Sequence, residues 1–307
     1  MTAKRNATVE MLRFIFAIVI VIFHFGQKNY INNWCSNGYL GVEFFFLLSG
    51  WFLAKNAQGQ DSSDIGGETF AFVTKKIATF AVPYYACWIG SYLITNIMLH
   101  SSLKEFNFNF LRSIPEALFL RSTGMQMVCY ISQTWYISAM LLTIILCYPL
   151  ICKLKNLYMY WIAPLITFFI LGLLSLKCGT LGDVDALIGI FTKGFLRGLA
   201  VMNLGVFMYG VGKNIHNISL TKVGTKIISC VELFMVIPLI MYSILPLNLG
   251  LDFVFCLISA IALLIILSFE TYLERALSKK SYIIGRMGKY SSDYFREIYG
   301  IYTNMEC

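Results

Sequence analysis

Apolar residues dominate this chain in long runs, and polar residues fall in short breaks between them. Eight runs approach membrane length, at 8–25, 38–54, 80–99, 134–152, 157–176, 194–212, 226–246 and 249–269. About 20 consecutive apolar residues are what a helix needs to cross hydrocarbon. The period-2 alternation of a membrane β-barrel strand is missing from these runs. The pattern predicts an all-α fold, a polytopic transmembrane helix bundle of about eight spans. No long polar stretch separates the spans, so 1–307 is expected to be a single integral-membrane domain. The apolar run after Arg13 has no small-residue cleavage site behind it and reads as a retained first span.

The breaks carry their own signals. The break at 55–79 starts polar and then becomes Phe70-Ala71-Phe72-Val73-Thr74-Lys75-Lys76-Ile77, which suits an interfacial helix on an anionic leaflet. Pro83 is expected near the start of the third span. The break at 100–133 contains Phe106–Leu111 and Ile114–Leu120 and predicts a short re-entrant or interfacial helix. The end differs from the rest. After the eighth span a basic connector, Ser281–Gly288, leads into polar sequence around Asp293–Glu297, so 270–307 is expected to be atypical or truncated.

Composition strengthens the membrane assignment: 58% of residues are hydrophobic, 13% are charged, and the mean hydropathy is +0.70. Charge then orients the chain. With the N-terminus inside, inner segments hold sixteen of the 24 Lys and Arg and outer loops hold six, with Arg13 and Arg197 inside spans. Positive residues concentrate on the cytoplasmic side, which predicts a cytoplasmic N-terminus. The net charge of +8 therefore belongs to membrane edges and not to a nucleic-acid partner. The nine cysteines include no Cys-x-x-Cys pair and predict no metal site. Cys35, Cys129 and Cys178 fall in outer loops, where a disulfide could form.

Candidate chemistry begins in the first two spans, because ionisable groups inside hydrocarbon mark function by default. Arg13 and His24 are eleven residues apart, close to three full helical turns. They share one helix face about 16 Å apart along the axis. Arg13 then sits near the inner edge and His24 near the outer one. Glu10 lies one turn before Arg13, so an i, i+3 ion pair is available. Arg13 also suits snorkelling to headgroups, and His24 also suits an interfacial helix end. Imidazole titrates near neutral pH, as a general base requires. Glu43 stands among apolar residues before three phenylalanines, where it could equally be a packing partner for another span. Ser49-Gly50 suggests close helix approach more than a nucleophile.

Glu10-x-x-Arg13, ten residues, His24, then Gly41-Val42-Glu43-x-Phe45-Phe46-x-Leu48-Ser49-Gly50 resembles the membrane acyltransferase-3 family. Lys75-Lys76 with Pro83-Tyr84, Trp135-Tyr136 with Tyr148-Pro149, Arg197 to Gly205, and Gly288-Lys289-Tyr290-Ser291 are similar to later family segments. The resemblance covers nearly the whole chain and is tightest in the first fifty residues. It implies O-acetyl transfer, most simply from acetyl-CoA, to a hydroxyl of a surface glycan or lipid-linked sugar at a bacterial inner membrane. By that analogy His24, Arg13 and Glu43 are catalytic, Glu43 orienting or charge-stabilising His24. Lys75, Lys76 and Arg197 bind the donor, and Glu10, Ser49 and Trp135 support the site. Acetyl-CoA or another acyl-CoA is a co-substrate, and no bound cofactor or metal is implied. Three departures stand out. The basic cluster is lysine where arginine is usual, no acid follows Trp135 closely, and the usual last span with its late histidine is missing. Those departures keep two alternatives open: an inactive truncated relative, and a glycan or lipid carrier without transfer chemistry.

Overall fold

A computed structural model describes residues 6–29, 35–60, 64–215, 218, 220–247 and 249–279. Residues 281–307, which include the connector and the Gly288–Ser291 segment, lie outside the described residues. The described chain is a bundle of helices. In order they are α1 (Ala7–Asn29), α2 (Gly41–Gln58), α3 (Ile65–Met98), α4 (Leu103–Ala117), α5 (Trp135–Leu154), α6 (Ala163–Cys178), α7 (Lys193–Ile215), α8 (Lys222–Ile244), α9 (Asp252–Ser268) and α10 (Tyr272–Ser278). A two-residue hairpin pairs β1 (Leu187–Ile188) with β2 (Phe191–Thr192) between α6 and α7.

Every expected span coincides with a helix. Among the described residues six stretches are long and apolar enough to cross a membrane, and α9 with α10, bent by 65° between them, gives a seventh if the pair is one broken span. The second expected span, α2, falls outside that set because Glu43 near its start and Lys55 near its end dilute its apolar run. It is nonetheless central. α2 packs against α7, and α5, α6 and α9 enclose α7. Two glycines allow the close approach, reciprocally: a Cβ on Gly50 would strike the Met202 carbonyl, and one on Gly205 would strike the Leu47 carbonyl. Small residues at such a crossing let backbones meet in a medium that offers no hydrophobic drive for helix association.

Three expectations change. The interfacial piece Phe70–Ile77 and the third span are one continuous helix, α3, of 34 residues. At 1.5 Å per residue it is about 51 Å long, well beyond the hydrocarbon thickness. Its first turns, capped by Asp64 accepting from Gly67 N at 2.8 Å, therefore extend past the apolar layer. Pro83 lies mid-helix and not at the start, which removes one backbone bond without ending the helix. Among the described residues all eight cysteines are free, so the outer-loop disulfide is absent there.

The expected short helix in 100–133 is α4. It begins in a capping box, Ser102 N donating to Glu105 Oε2 at 2.8 Å and Glu105 N donating to Ser102 Oγ at 3.3 Å. Its Glu105 carboxyl is held below the ordinary range by those bonds to Ser102. α4 packs on α3 beside an aromatic cluster of Tyr84, Trp88, Tyr92, Phe119 and Tyr130.

Candidate active site

A cavity of about 700 Å³ opens between α1, α2, α3, α5 and the segment before β1. Its wall is mostly apolar and aromatic through the middle, with Ile20, Phe23, Phe45, Phe80, Tyr136 and Met140. Arg13 and His24 both line it, so the helix face they share faces this space. Arg197 and Trp135 line it too. Helix direction orders the two ends. His24 near the end of α1, Tyr39 before α2, Trp135 at the start of α5 and Arg197 near the start of α7 gather at the end away from the N-terminus. Arg13 and the Lys75-Lys76 region of α3 mark the other.

At the first end, Arg197 is the organising group. Its Nε donates to Glu43 Oε1, Nη1 to the Leu181 carbonyl at 2.8 Å, and Nη2 to the Tyr39 carbonyl at 2.8 Å. Arg197 and Glu43 are essentially fully buried, at 1% and 0% exposure. The guanidinium also lies 5.1 Å from the Trp135 ring centre and 5.7 Å from that of Tyr39. A buried ion pair is tolerable only when hydrogen bonds satisfy what remains, and here backbone carbonyls do so for the cation. Glu43 is therefore placed against Arg197, and its carboxylate is not part of the cavity wall. The Glu43 carboxylate, to which the resemblance gave a role toward His24, accepts from Arg197 through Oε1. Arg197 is likewise paired with Glu43, sits at the end opposite the lysines, and lines the cavity there.

The rest of this rim is stitched in the same way. Asp252 Oδ2 accepts from the Tyr39 hydroxyl and from Leu181 N, both at 2.7 Å. Arg121 donates to the Ile131 carbonyl at 3.1 Å and to Asp185 Oδ2 at 2.9 Å. Fully buried Glu116 accepts from Tyr130 N at 2.8 Å and Ile131 N at 2.9 Å. Burial pushes the Glu116 carboxyl above its ordinary value, and the two amide bonds pull it back. Sequence reasoning missed Tyr39, Glu116, Arg121 and Asp252. The two acids carried a signal it did not use, since each interrupts an apolar run.

The Arg13 end is built differently. Arg13 Nη1 pairs with Glu10 Oε1 at 3.1 Å, the i, i+3 pair the spacing made available. Its Nε has no partner among the described residues, and a third of the side chain is exposed. Lys76 lies close enough to Arg13 and Lys75 for the like charges to interact, and its Nζ sits 5.7 Å from the Phe72 ring centre. No acid pairs with Lys75 or Lys76 among the described residues, and neither lines the cavity. Ser49 contacts Met140 Sδ at 3.8 Å and bonds to the Tyr136 hydroxyl in the cavity wall, a packing position. His24 is half-buried, with its ring centre 5.1 Å from that of Phe23.

These features define a membrane-embedded helical bundle with a cavity lined by Arg13 toward one end and by His24 toward the other. The chain belongs to the acyltransferase-3 family, whose acyltransferase-domain profile matches residues 6–292. No curated protein and no solved structure matches it. Acyl transfer within a membrane is thus the chemistry these residues have to explain.

Proposed function

We propose that the protein moves an acetyl group from acetyl-CoA to a hydroxyl of a surface glycan or lipid-linked sugar, at the His24 end of the cavity. One observation carries this reading: a single cavity is lined by both Arg13 and His24. Arg13, Lys75 and Lys76 form a cationic region at one end, suited to the phosphates of a CoA donor. With the N-terminus cytoplasmic, as the charge bias predicts, that end faces the compartment holding acetyl-CoA. The setting is then a bacterial inner membrane. The apolar middle suits the thioester-bearing arm.

At the far end the acceptor hydroxyl gives its proton to His24 as its oxygen attacks the thioester carbonyl. The new C–O bond forms, the C–S bond breaks, and the leaving thiolate takes the proton back from the imidazolium. Glu43 serves by holding Arg197, which lines the cavity at this end. The test is acetyl incorporation from labelled acetyl-CoA into host glycan by wild type, His24→Ala and Arg13→Ala. Loss in both variants supports the assignment, and incorporation that survives both removes it.

A further inference from the structure

Asp252 stands at the first position of α9, buried to 2% exposure, and the chemistry above gives it no part. One of its oxygens accepts two hydrogen bonds, from the Tyr39 hydroxyl and Leu181 N. Arg197 grips the same two residues by their carbonyls. Tyr39 and Leu181 are therefore each held twice, once by a cation and once by an anion, from two different helices. The two gripped residues lead directly into cavity wall. Tyr39 itself lines the cavity, and Leu181 is flanked by Thr180 and Gly182 to Asp185, which also line it. The Leu181 side chain is fully buried and the Thr180 and Gly182 backbone lies on either side, so the segment cannot shift without breaking these bonds. The negative charge also suits the N-terminus of α9.

We propose that Asp252 is a positioning residue. Acting through Tyr39 and Leu181, it fixes the 180–185 wall at the His24 end, and that wall sets how the acceptor is held. The last clause rests on the acyl-transfer reading above, whereas the clamp itself rests only on geometry. The two separate experimentally.

The full-length protein in native membranes, with Cys87, Cys129, Cys178, Cys230 and Cys307 changed to Ser and Leu181→Cys added at the fully buried position whose backbone the clamp holds, is labelled with N-ethylmaleimide. Asp252→Ala removes both bonds and should raise the labelling rate by about tenfold or more. Asp252→Asn keeps an oxygen that can accept both bonds, so its rate should stay within about threefold of the parent. Tyr39→Phe, which removes one bond and leaves Asp252 intact, should fall between them and remains informative if Asp252→Ala does not fold. Unchanged labelling in both Asp252→Ala and Tyr39→Phe overturns the clamp. A rate in Asp252→Asn as high as in Asp252→Ala overturns it too, since charge and not bonding would then hold the wall. In transfer assays Asp252→Ala should raise the acceptor KM and leave the acetyl-CoA KM unchanged; equal rises in both overturn the link to the acceptor. Absence of transfer by wild type would count against the acyl-transfer reading alone, because the labelling result judges the clamp without it.

Discussion

Around the His24 end of the cavity, Glu43, Glu116, Arg121, Arg197 and Asp252 direct their hydrogen bonds to one another or to the loops and helix starts that form the wall. Around the Arg13 end, Arg13 keeps an unbonded Nε, and Lys75 and Lys76 have no acidic partner among the described residues. Both ends are charged, and at the second Arg13, Lys75 and Lys76 have bonding capacity left over for a polyanion. A charged residue in a membrane protein is therefore informative only together with its partners. Arg197 and Arg13 look alike as intramembrane arginines, and their surroundings give them different work.

The sharpest way to break this contrast is to remove one charge from the rim. Arg197→Met leaves Glu43 buried without its counter-ion and should cost about 3–5 kcal/mol of stability, read by unfolding in detergent. The double change Glu43→Leu with Arg197→Met should recover much of that loss. If Arg197→Met melts like wild type, the pair does not hold the rim. Glu116→Gln comes next. It turns one oxygen that accepts a backbone N–H into an NH₂ group facing that donor, and should cost about 1–3 kcal/mol. The smallest stability effect is expected at the other end. Lys75→Ala with Lys76→Ala should change unfolding by less than about 1 kcal/mol, because Lys75 is exposed and half-buried Lys76 has no acidic partner among the described residues to lose. The same pair should raise the acetyl-CoA KM by about tenfold or more, through lost charge-assisted bonds. A large loss of stability there with an unchanged KM would reverse the comparison.

The sequence carried the helices well because each span is a continuous apolar run, and the Arg13–Glu10 pair and shared Arg13–His24 face because both follow from 3.6-residue periodicity. It could not carry the partner of Glu43, which is 154 positions away on α7. The spacing also gave no sign that Tyr39, Leu181 and Asp252 meet, since their contact depends on how α7 and α9 return to the same end of the bundle. Pro83 misled in a characteristic way. Proline usually marks a helix boundary, but a membrane helix whose other backbone bonds are internal runs through it. The separate interfacial piece vanished for the same reason, because Phe70–Ile77 has no turn residue to detach it from the span that follows.

The proposed function gives His24 the reaction and the lysines, beside the Arg13 end, the donor. The most direct measurement is steady-state acetyl transfer by reconstituted protein carrying His24→Ala, with kcat and the acetyl-CoA KM determined separately. A general base at His24 predicts a fall in kcat of about 10²–10⁴-fold with the acetyl-CoA KM and the melting temperature unchanged. Transfer by His24→Ala at the wild-type rate would contradict it.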